Sequence, residues 1–232
     1  MKITQRWIAE LAGGRSFVDV GGLWGTTNER VSDALKAGAA SAAMADIAPP
    51  DHRLWAAFDE RMAGMGLTDY ERISADVMAP DLPERVAARD LVHCSGVIYH
   101  MPDPMGCLRN LRAITKEHLI LVSMVVPEII SNSAGTLDFR GAGTFFLPAL
   151  DEHQHRVLHE YFERAQIRVH GITGAPIPEW TDPVDGAPRF GPWWWLLTPH
   201  LVRTMVSISG FELVEDAPVV EGRSHGFLCR RV

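Results

Sequence analysis

The stretch Phe17–Gly25, FVDVGGLWG, is the part of the sequence that decides the expected fold. Its first residues are mainly apolar and predict a buried strand, which passes through Asp19 into a glycine turn. A helix is expected directly afterwards, because Thr26 can cap it and Glu29 can complete a capping box. A strand that passes into a helix through glycines lets the backbone approach a ligand closely. The stretch therefore predicts a ligand site at the end of a strand.

The glycine turn does not fit a nicotinamide dinucleotide. The fingerprint for that class of cofactor is G-x-G-x-x-G, and Leu23 stands where its middle glycine is required. The remaining pattern consists of Asp19, Gly21 and Gly25, so a carboxylate precedes the turn. A carboxylate in this place suits a ligand with an amino group, which it can contact directly or through water.

The first half of the chain alternates between strands and helices, and this pattern predicts a parallel sheet with right-handed crossovers. The strands expected there cover residues 16–20, 40–45, 71–75, 90–95 and 118–126. A late helix is expected to begin at Thr198 and Pro199, and two closing strands follow over residues 211–214 and 226–232. The whole pattern predicts an α/β fold.

The order of these features resembles that of class I S-adenosylmethionine-dependent methyltransferases. The shared features are a glycine turn after the first strand, acidic residues after the second and third strands, and a late helix with closing strands. The resemblance covers roughly residues 16–126 and 198–232. It implies a Rossmann-like, mostly parallel seven-stranded sheet with helices on both faces and an antiparallel strand beside the last parallel one. It also implies an enzyme that binds S-adenosyl-L-methionine and moves its methyl group to an acceptor.

The resemblance gives a role to the residues at the strand ends. Asp46 would hold the ribose hydroxyls, and Ile47 would lie against the adenine. Asp76 would receive the adenine amino group, with Val77 beside it. The other residues expected to contact the cofactor are Asp19, Gly21, Gly22, Leu23, Gly25, Cys94 and Ser95.

Tyr99 and His100 would face the transferred methyl group and are the predicted catalytic residues. His100 can act as a base if the acceptor is a hydroxyl or a protonated amine, but it can equally brace the turn that follows it. Any single strand-end acid can also be a helix cap, and turn glycines occur in many open α/β sheets. Three such acids in order, Asp19, Asp46 and Asp76, favour the binding interpretation.

Residues 127–197 interrupt the alternation after the fifth predicted strand. They combine proline and glycine punctuation with aromatic residues, a composition typical of a shaped pocket and not of a disordered linker. We therefore predict a cofactor-binding core over 1–126 and 198–232, and an insertion that forms a lid and the acceptor site. The residues expected to bind substrate there are Phe145, Phe146 and Trp193.

The composition favours a small-molecule substrate. The chain has 232 residues, a formal net charge of −7 at pH 7 and no basic run, whereas nucleic-acid binding relies on clustered Lys and Arg. Two alternatives stay open. One is an RNA methyltransferase, since GVIYH over residues 96–100 resembles enzymes that modify transfer-RNA wobble bases. The other is a non-catalytic cofactor-binding subunit. The acceptor, the methylated atom and the oligomeric state do not follow from the sequence.

Compartment and metal content are also predicted. The three cysteines have no metal-ligand spacing, which indicates a reduced, cytoplasmic protein. The longest apolar run, Leu119–Val126, is far too short to cross a bilayer, so no membrane contact is expected. His155 and His159 have a spacing that suits a metal on a helix, but a polar helix face explains them more simply. No metal is therefore predicted.

Overall fold

The computed structural model describes residues 2–140, 143–174, 192–220 and 223–232. The α-helices in these residues are α1 (Ile3–Leu11), α2 (Val31–Lys36), α3 (Arg53–Gly64), α4 (Leu82–Val86), α5 (Pro104–Ile114), α6 (Glu152–Arg164) and α7 (Pro199–Ile208). The strands are β1 (Ser16–Val20), β2 (Ser41–Asp46), β3 (Glu71–Ser74), β4 (Arg89–Ser95), β5 (Thr115–Met124), β6 (Ile129–Asn132), β7 (Gly135–Asp138), β8 (Phe145–Phe146), β9 (Trp195–Leu196), β10 (Phe211–Val220) and β11 (Ser224–Arg231). Short 3-10 helices cover Leu23–Asn28, Ile98–His100 and Leu147–Ala149.

Seven strands form one central sheet in the order β3-β2-β1-β4-β5-β11-β10. The neighbouring pairs from β3 to β5 are parallel, whereas β11 runs antiparallel to both β5 and β10. The predicted fold class is therefore confirmed, including the antiparallel strand beside the last parallel one.

Helices cover both faces of the sheet, as predicted. On one face, α1 and α3 bury Trp7 and Trp55 against the sheet. On the other face, α5, α6 and α7 share a second core, to which α5 contributes Leu108 and Leu111. These two leucines lie three positions apart, a spacing that puts both on one side of a helix. No helix among the described residues is long and apolar enough to span a membrane.

The chain after the glycine turn differs from the prediction. A 3-10 helix over Leu23–Asn28 comes first, and α2 begins only after it. The predicted Thr26 cap is wrong, because Thr26 lies inside the 3-10 helix and its hydroxyl donates to the Leu23 carbonyl. The buried Glu29 carboxylate instead accepts the backbone N–H of Ser32 at 2.9 Å. The tighter helix turns Leu23 fully into the core before α2 starts.

The two closing strands are longer than predicted. β10 and β11 form a hairpin whose register runs from the Phe211–Arg231 pair to the Val220–Ser224 pair. Pro218 lies within β10, although proline cannot donate a hydrogen bond to a neighbouring strand. Since β10 is the edge strand of the sheet, the missing N–H is tolerated there and proline does not end the strand.

The described part of the insertion joins the core formed by α5 and α7. It contains the antiparallel pairs β6–β7 and β8–β9 and the helix α6, and it adds Ile130 and Phe162 to that core. The backbone N–H of Val126 donates to the Leu197 carbonyl at 2.9 Å, so the two ends of the insertion meet. Residues 141–142 and 175–191 of the insertion lie outside the described part. The division into core and insertion stays a prediction.

Candidate functional site

The carboxyl ends of four parallel strands meet at one edge of the central sheet. β1, β2, β3 and β4 end at Val20, Asp46, Ser74 and Ser95. Ligands bind at this edge in open α/β sheets. Most of the residues predicted to bind the cofactor lie at these strand ends or directly after them, so the fold brings them together.

The turn after β1 requires glycine twice. Gly21 has a φ of +77°, a left-handed conformation that favours glycine, and a Cβ on it would lie 2.5 Å from Val97 Cγ2. A Cβ on Gly22 would lie 2.5 Å from Asp19 Oδ2. The two glycines therefore let the backbone pass close to the loop after β4 and to the carboxylate that precedes the turn.

The residues after the turn point in different directions. The side chain of Leu23 is fully buried in the core, while its backbone N–H donates to Asp46 Oδ2 at 3.2 Å. Trp24 is 53% exposed and borders the cavities described below. Gly25 lies within the 3-10 helix. Of the two bulky residues in the turn, only Trp24 presents its side chain to the site.

A first cavity of about 580 Å³ lies at the ends of β1, β2 and β3. The predicted residues Asp46, Ile47, Asp76 and Val77 all line it. The cavity thus combines two carboxylates with apolar side chains, the chemistry that suits a polar ring system with hydroxyl and amino groups.

Both carboxylates of this cavity are held by backbone N–H groups. Asp46 Oδ1 accepts from Ala48 at 3.0 Å and Oδ2 from Leu23 at 3.2 Å. Burial raises the pKa of Asp46 above its ordinary value, and the two backbone hydrogen bonds partly oppose this shift. Asp76 Oδ1 accepts the N–H of Met78 at 2.8 Å. Since a carboxylate offers about four acceptor positions, each acid retains capacity for a ligand.

A second cavity of about 700 Å³ adjoins the first, and Gly21, Trp24, Gly96 and His100 line both. We call the two together the cleft. The predicted residues that line the second cavity are Asp19, Gly21, Gly22, Ser95, Tyr99 and His100. The cleft therefore runs along the sheet edge from the two acids Asp46 and Asp76 to Asp19.

Asp19 forms a buried pair with His93, which was not predicted as a site residue. The register of β1 and β4 places the two residues side by side, and Asp19 Oδ1 lies 2.7 Å from His93 Nδ1. Because an ionised carboxylate only accepts hydrogen bonds, Nδ1 carries the proton. Asp19 Oδ2 accepts the backbone N–H of Arg30 at 2.8 Å. The signal in the sequence was a polar residue within an otherwise apolar run of β4.

The predicted catalytic residues lie in a 3-10 helix after β4. His100 Nδ1 lies 2.9 Å from the Pro192 carbonyl oxygen, so Nδ1 donates and Nε2 holds a lone pair. Burial lowers the pKa of His100 to about 4, which keeps the ring neutral at neutral pH. Burial raises the pKa of Tyr99 above its ordinary range, so its hydroxyl stays protonated. Tyr99 is therefore a hydrogen-bond donor here and not a base.

Besides Leu23, four predicted contact residues whose side chains the structure describes do not line the cleft. Strand alternation turns Cys94 away from the face that carries His93, so Cys94 is fully buried in the opposite core. Phe145 and Phe146 pair with β9. Trp193 packs against Tyr99 with ring centroids 4.6 Å apart and is itself buried. These four side chains pack behind the walls of the cleft and do not line it.

A third cavity of about 650 Å³ lies between the start of α1, the end of β5 and the β10–β11 hairpin. It shares Asn28, His93, Ser95, Gly96 and Tyr99 with the second cavity. Its apolar lining residues are Val122, Met124, Val219 and Val220. The unpredicted extension of the closing hairpin therefore adds apolar walls next to the cleft.

The two histidines considered as metal ligands have other partners. His155 Nε2 lies 3.1 Å from the Gly171 carbonyl oxygen, and His159 Nδ1 lies 3.7 Å from Glu163 Oε2. The described residues hold no group of three or more His, Cys, Asp or Glu side chains placed to bind a metal ion.

Solved structures with a similar fold cover nearly the whole chain. Magnesium protoporphyrin IX methyltransferase from Synechocystis PCC 6803, with bound S-adenosylhomocysteine, is 13% identical and has a TM-score of 0.57, covering 99% of this chain and 80% of its own. The cyclase SpnF is 14% identical with a TM-score of 0.58, covering 98% and 79%. The 1,6-didemethyltoxoflavin-N1-methyltransferase of Burkholderia thailandensis is 12% identical with a TM-score of 0.52, covering 100% and 79%.

These similarities define a class of fold. The chain has the fold of class I S-adenosylmethionine-dependent methyltransferases, with the strand order and the antiparallel strand of that class. No protein-family model matches the sequence, and no curated protein is detectably similar to it. Since a cyclase shares the fold, the reaction has to be argued from the site.

Proposed function

We propose that this protein is an enzyme that moves the methyl group of S-adenosyl-L-methionine to a small organic acceptor. One observation carries the proposal. Asp19, Asp46 and Asp76 lie at the ends of adjacent strands, around a glycine turn, and line one cleft in a methyltransferase fold. A single acid at a strand end can occur by chance, but three acids around one cleft indicate a shared ligand.

The groups of the first cavity fit an adenosine. In this proposal Asp46 accepts hydrogen bonds from both ribose hydroxyls, since two oxygens on one carboxylate match two hydroxyls on adjacent carbons. Asp76 accepts from the adenine amino group, and Ile47 and Val77 supply the apolar contacts beside the ring. The raised pKa of buried Asp46 agrees with a carboxylate that lacks water and awaits donors.

The chain's own residues prepare the acceptor. When bound, S-adenosyl-L-methionine supplies an electrophilic methyl group on a positively charged sulfur. The Tyr99 hydroxyl is a donor because its raised pKa keeps it protonated, and His100 Nε2 is an acceptor because Nδ1 donates to Pro192. With its pKa near 4, His100 suits orientation of an acceptor hydroxyl better than full removal of its proton.

The lining of the third cavity supports a small organic acceptor. The third cavity adds apolar walls beside Ser95 and Tyr99, which suits an organic molecule with a nonpolar body. The net charge of −7 opposes the alternative of an RNA substrate.

Two measurements test the proposal. Titration calorimetry should show binding of S-adenosyl-L-methionine and S-adenosylhomocysteine to the wild type, and absence of binding would overturn the proposal. Protein incubated with methyl-labelled S-adenosyl-L-methionine and a metabolite extract should pass label to a small molecule. Label in added transfer RNA would support the RNA alternative instead. Binding without transfer to any acceptor would identify a non-catalytic subunit.

A further inference from the structure

The buried pair Asp19 and His93 lies where the second and third cavities meet. Asp19 lines the second cavity, and His93 lines both. Both side chains are almost completely buried, with exposed fractions of 1% for Asp19 and 2% for His93. A carboxylate and an imidazole are thus held against the space next to the glycine turn.

The Asp19 carboxylate itself has little room for a ligand. One oxygen accepts from His93 and the other from the backbone of Arg30. A single added carbon on Gly22 would lie 2.5 Å from Asp19 Oδ2, which shows how closely the turn covers this oxygen. Both oxygens of Asp19 are therefore already engaged, and the imidazole of His93 is the other polar group of the pair that lines the cavities.

The other nitrogen of the ring lacks a partner in the part of the chain that the structure describes. His93 Nε2 has less than 1 Å² of accessible surface and no hydrogen-bond partner among the described residues. In the neutral ring with its proton on Nδ1, Nε2 presents a lone pair that needs a donor. A buried polar atom without a partner destabilises the folded protein, so such atoms usually mark a place for a ligand or water.

The charge around the ring favours a cationic donor. The Asp19 carboxylate lies behind the ring, and the nearby guanidinium of Arg30 already binds Asp33 at 3.0 Å. An ammonium group offers N–H donors together with the positive charge that compensates a buried carboxylate. The cleft also fixes the direction in which the ligand extends. A ligand whose adenosine lies at Asp46 extends past Gly21 and Gly96 toward His93.

We propose that His93 Nε2 accepts a hydrogen bond from the α-ammonium group of S-adenosyl-L-methionine. Asp19 acts through His93: it fixes the tautomer and compensates the positive charge of the ammonium group across the ring. This inference rests on the proposed function, since it assigns one end of the same ligand. His93 is then a binding residue for the amino-acid part of the cofactor. Asp19, which was expected to contact the amino group directly or through water, acts on it through the imidazole of His93.

The test compares ligands that differ in one group. Calorimetry is carried out with S-adenosylhomocysteine, with its analogue that lacks the amino group, and with methylthioadenosine, which lacks the whole amino-acid part. His93→Phe should weaken S-adenosylhomocysteine roughly ten- to a hundredfold, the range for a hydrogen bond to a charged group. The same substitution should leave the affinities of the other two ligands unchanged. The matched control is His118→Phe, which removes a partly buried histidine from β5 at the opposite edge of the sheet and should change no affinity.

A measurement on the wild type keeps the test valid if His93→Phe does not fold. The ¹⁵N signals of the His93 ring should show a protonated Nδ1 and an unprotonated Nε2. S-adenosylhomocysteine should shift the Nε2 signal, and the desamino analogue should not. Equal losses for all three ligands, or a proton on Nε2 in the complex, would overturn the inference. So would an unchanged affinity for S-adenosylhomocysteine in the variant. A wild type that binds none of these ligands would instead refute the proposed function.

Discussion

The core and the insertion contribute to the candidate site in different ways. The described residues that line the three cavities come from the core: from its strand ends, its glycine turn, the start of α1 and the closing hairpin. The described residues of the insertion do not line these cavities but contact Tyr99 and His100, which do. The Pro192 carbonyl accepts from His100, and the backbone N–H of Trp194 donates to the Tyr99 carbonyl at 2.9 Å.

We therefore expect the core and the insertion to control two different properties. Ligand affinity should depend on the core, because the sheet fixes the positions of its strand ends. The orientation of the Tyr99 and His100 side chains should depend on the insertion, because its backbone and Trp193 contact the turn that carries them. Substitutions in the two regions should therefore change different measurements.

The largest effect is expected for Trp193→Ala in the insertion. Trp193 is 7% exposed and packs on Tyr99 and Phe162. Its loss should lower the free energy of unfolding by roughly 3–5 kcal/mol, the usual cost of removing a large buried aromatic side chain. Urea unfolding measures this cost. Phe146→Ala is the control from the same region, because Phe146 is 37% exposed and its removal should cost far less.

The affinity of folded Trp193→Ala for S-adenosylhomocysteine should equal that of the wild type. A large loss of affinity without a loss of stability would contradict the separation, because it would place Trp193 among the residues that bind the cofactor. The same variant also tests the predicted role of the insertion in the acceptor site: its choice of acceptors should change more than its cofactor affinity.

An intermediate effect is expected for His100, which couples the two regions. Its folded-state pKa of about 4 lies below the ordinary value of 6.5, so the unfolded chain takes up a proton first as the pH falls. The contribution to stability is complete above about pH 6.5 and is lost as the pH falls toward 4. It amounts to roughly 3 kcal/mol at most.

Urea unfolding between these two pH values measures the His100 contribution. In His100→Phe, the loss of stability on acidification should be smaller than in the wild type. Direct titration of the ring by NMR gives an independent value. A pKa near 6.5 in the folded protein would show that the ring is hydrated and that burial does not hold it neutral.

The parts of this site that the sequence predicted share one property: they follow from local patterns. Asp46 follows an apolar run, and Asp76 follows the next strand in the alternating pattern of strands and helices. The ends of parallel strands necessarily meet at one sheet edge. His93 follows from no local pattern, since it gains its partner only through the register between β1 and β4, which are 74 positions apart at this pair. The strand pairing of Phe145 and Phe146 follows from no local pattern either, because their partners in β9 lie far along the chain.

The smallest effect is expected for Asp46→Ala in the core, and the property that it changes is the affinity for S-adenosyl-L-methionine. Loss of the carboxylate should weaken binding of S-adenosyl-L-methionine by roughly 1.5–3 kcal/mol, the range for hydrogen bonds to a charged group. The substitution also removes the acceptor for the backbone N–H groups of Leu23 and Ala48, so some stability is lost as well. Calorimetry below the unfolding temperature of the variant isolates the affinity.

Asp90→Ala is the matched control for Asp46→Ala. Asp90 also accepts a backbone N–H, that of Ser16 at 2.9 Å, but it lies on β4 at the opposite edge of the sheet. Both variants should therefore lose stability, and only Asp46→Ala should lose affinity. If the two variants bind S-adenosyl-L-methionine equally well, Asp46 serves only to hold the turn. If both lose affinity alike, the loss reflects a general loosening of the sheet, and affinity does not belong to the strand ends.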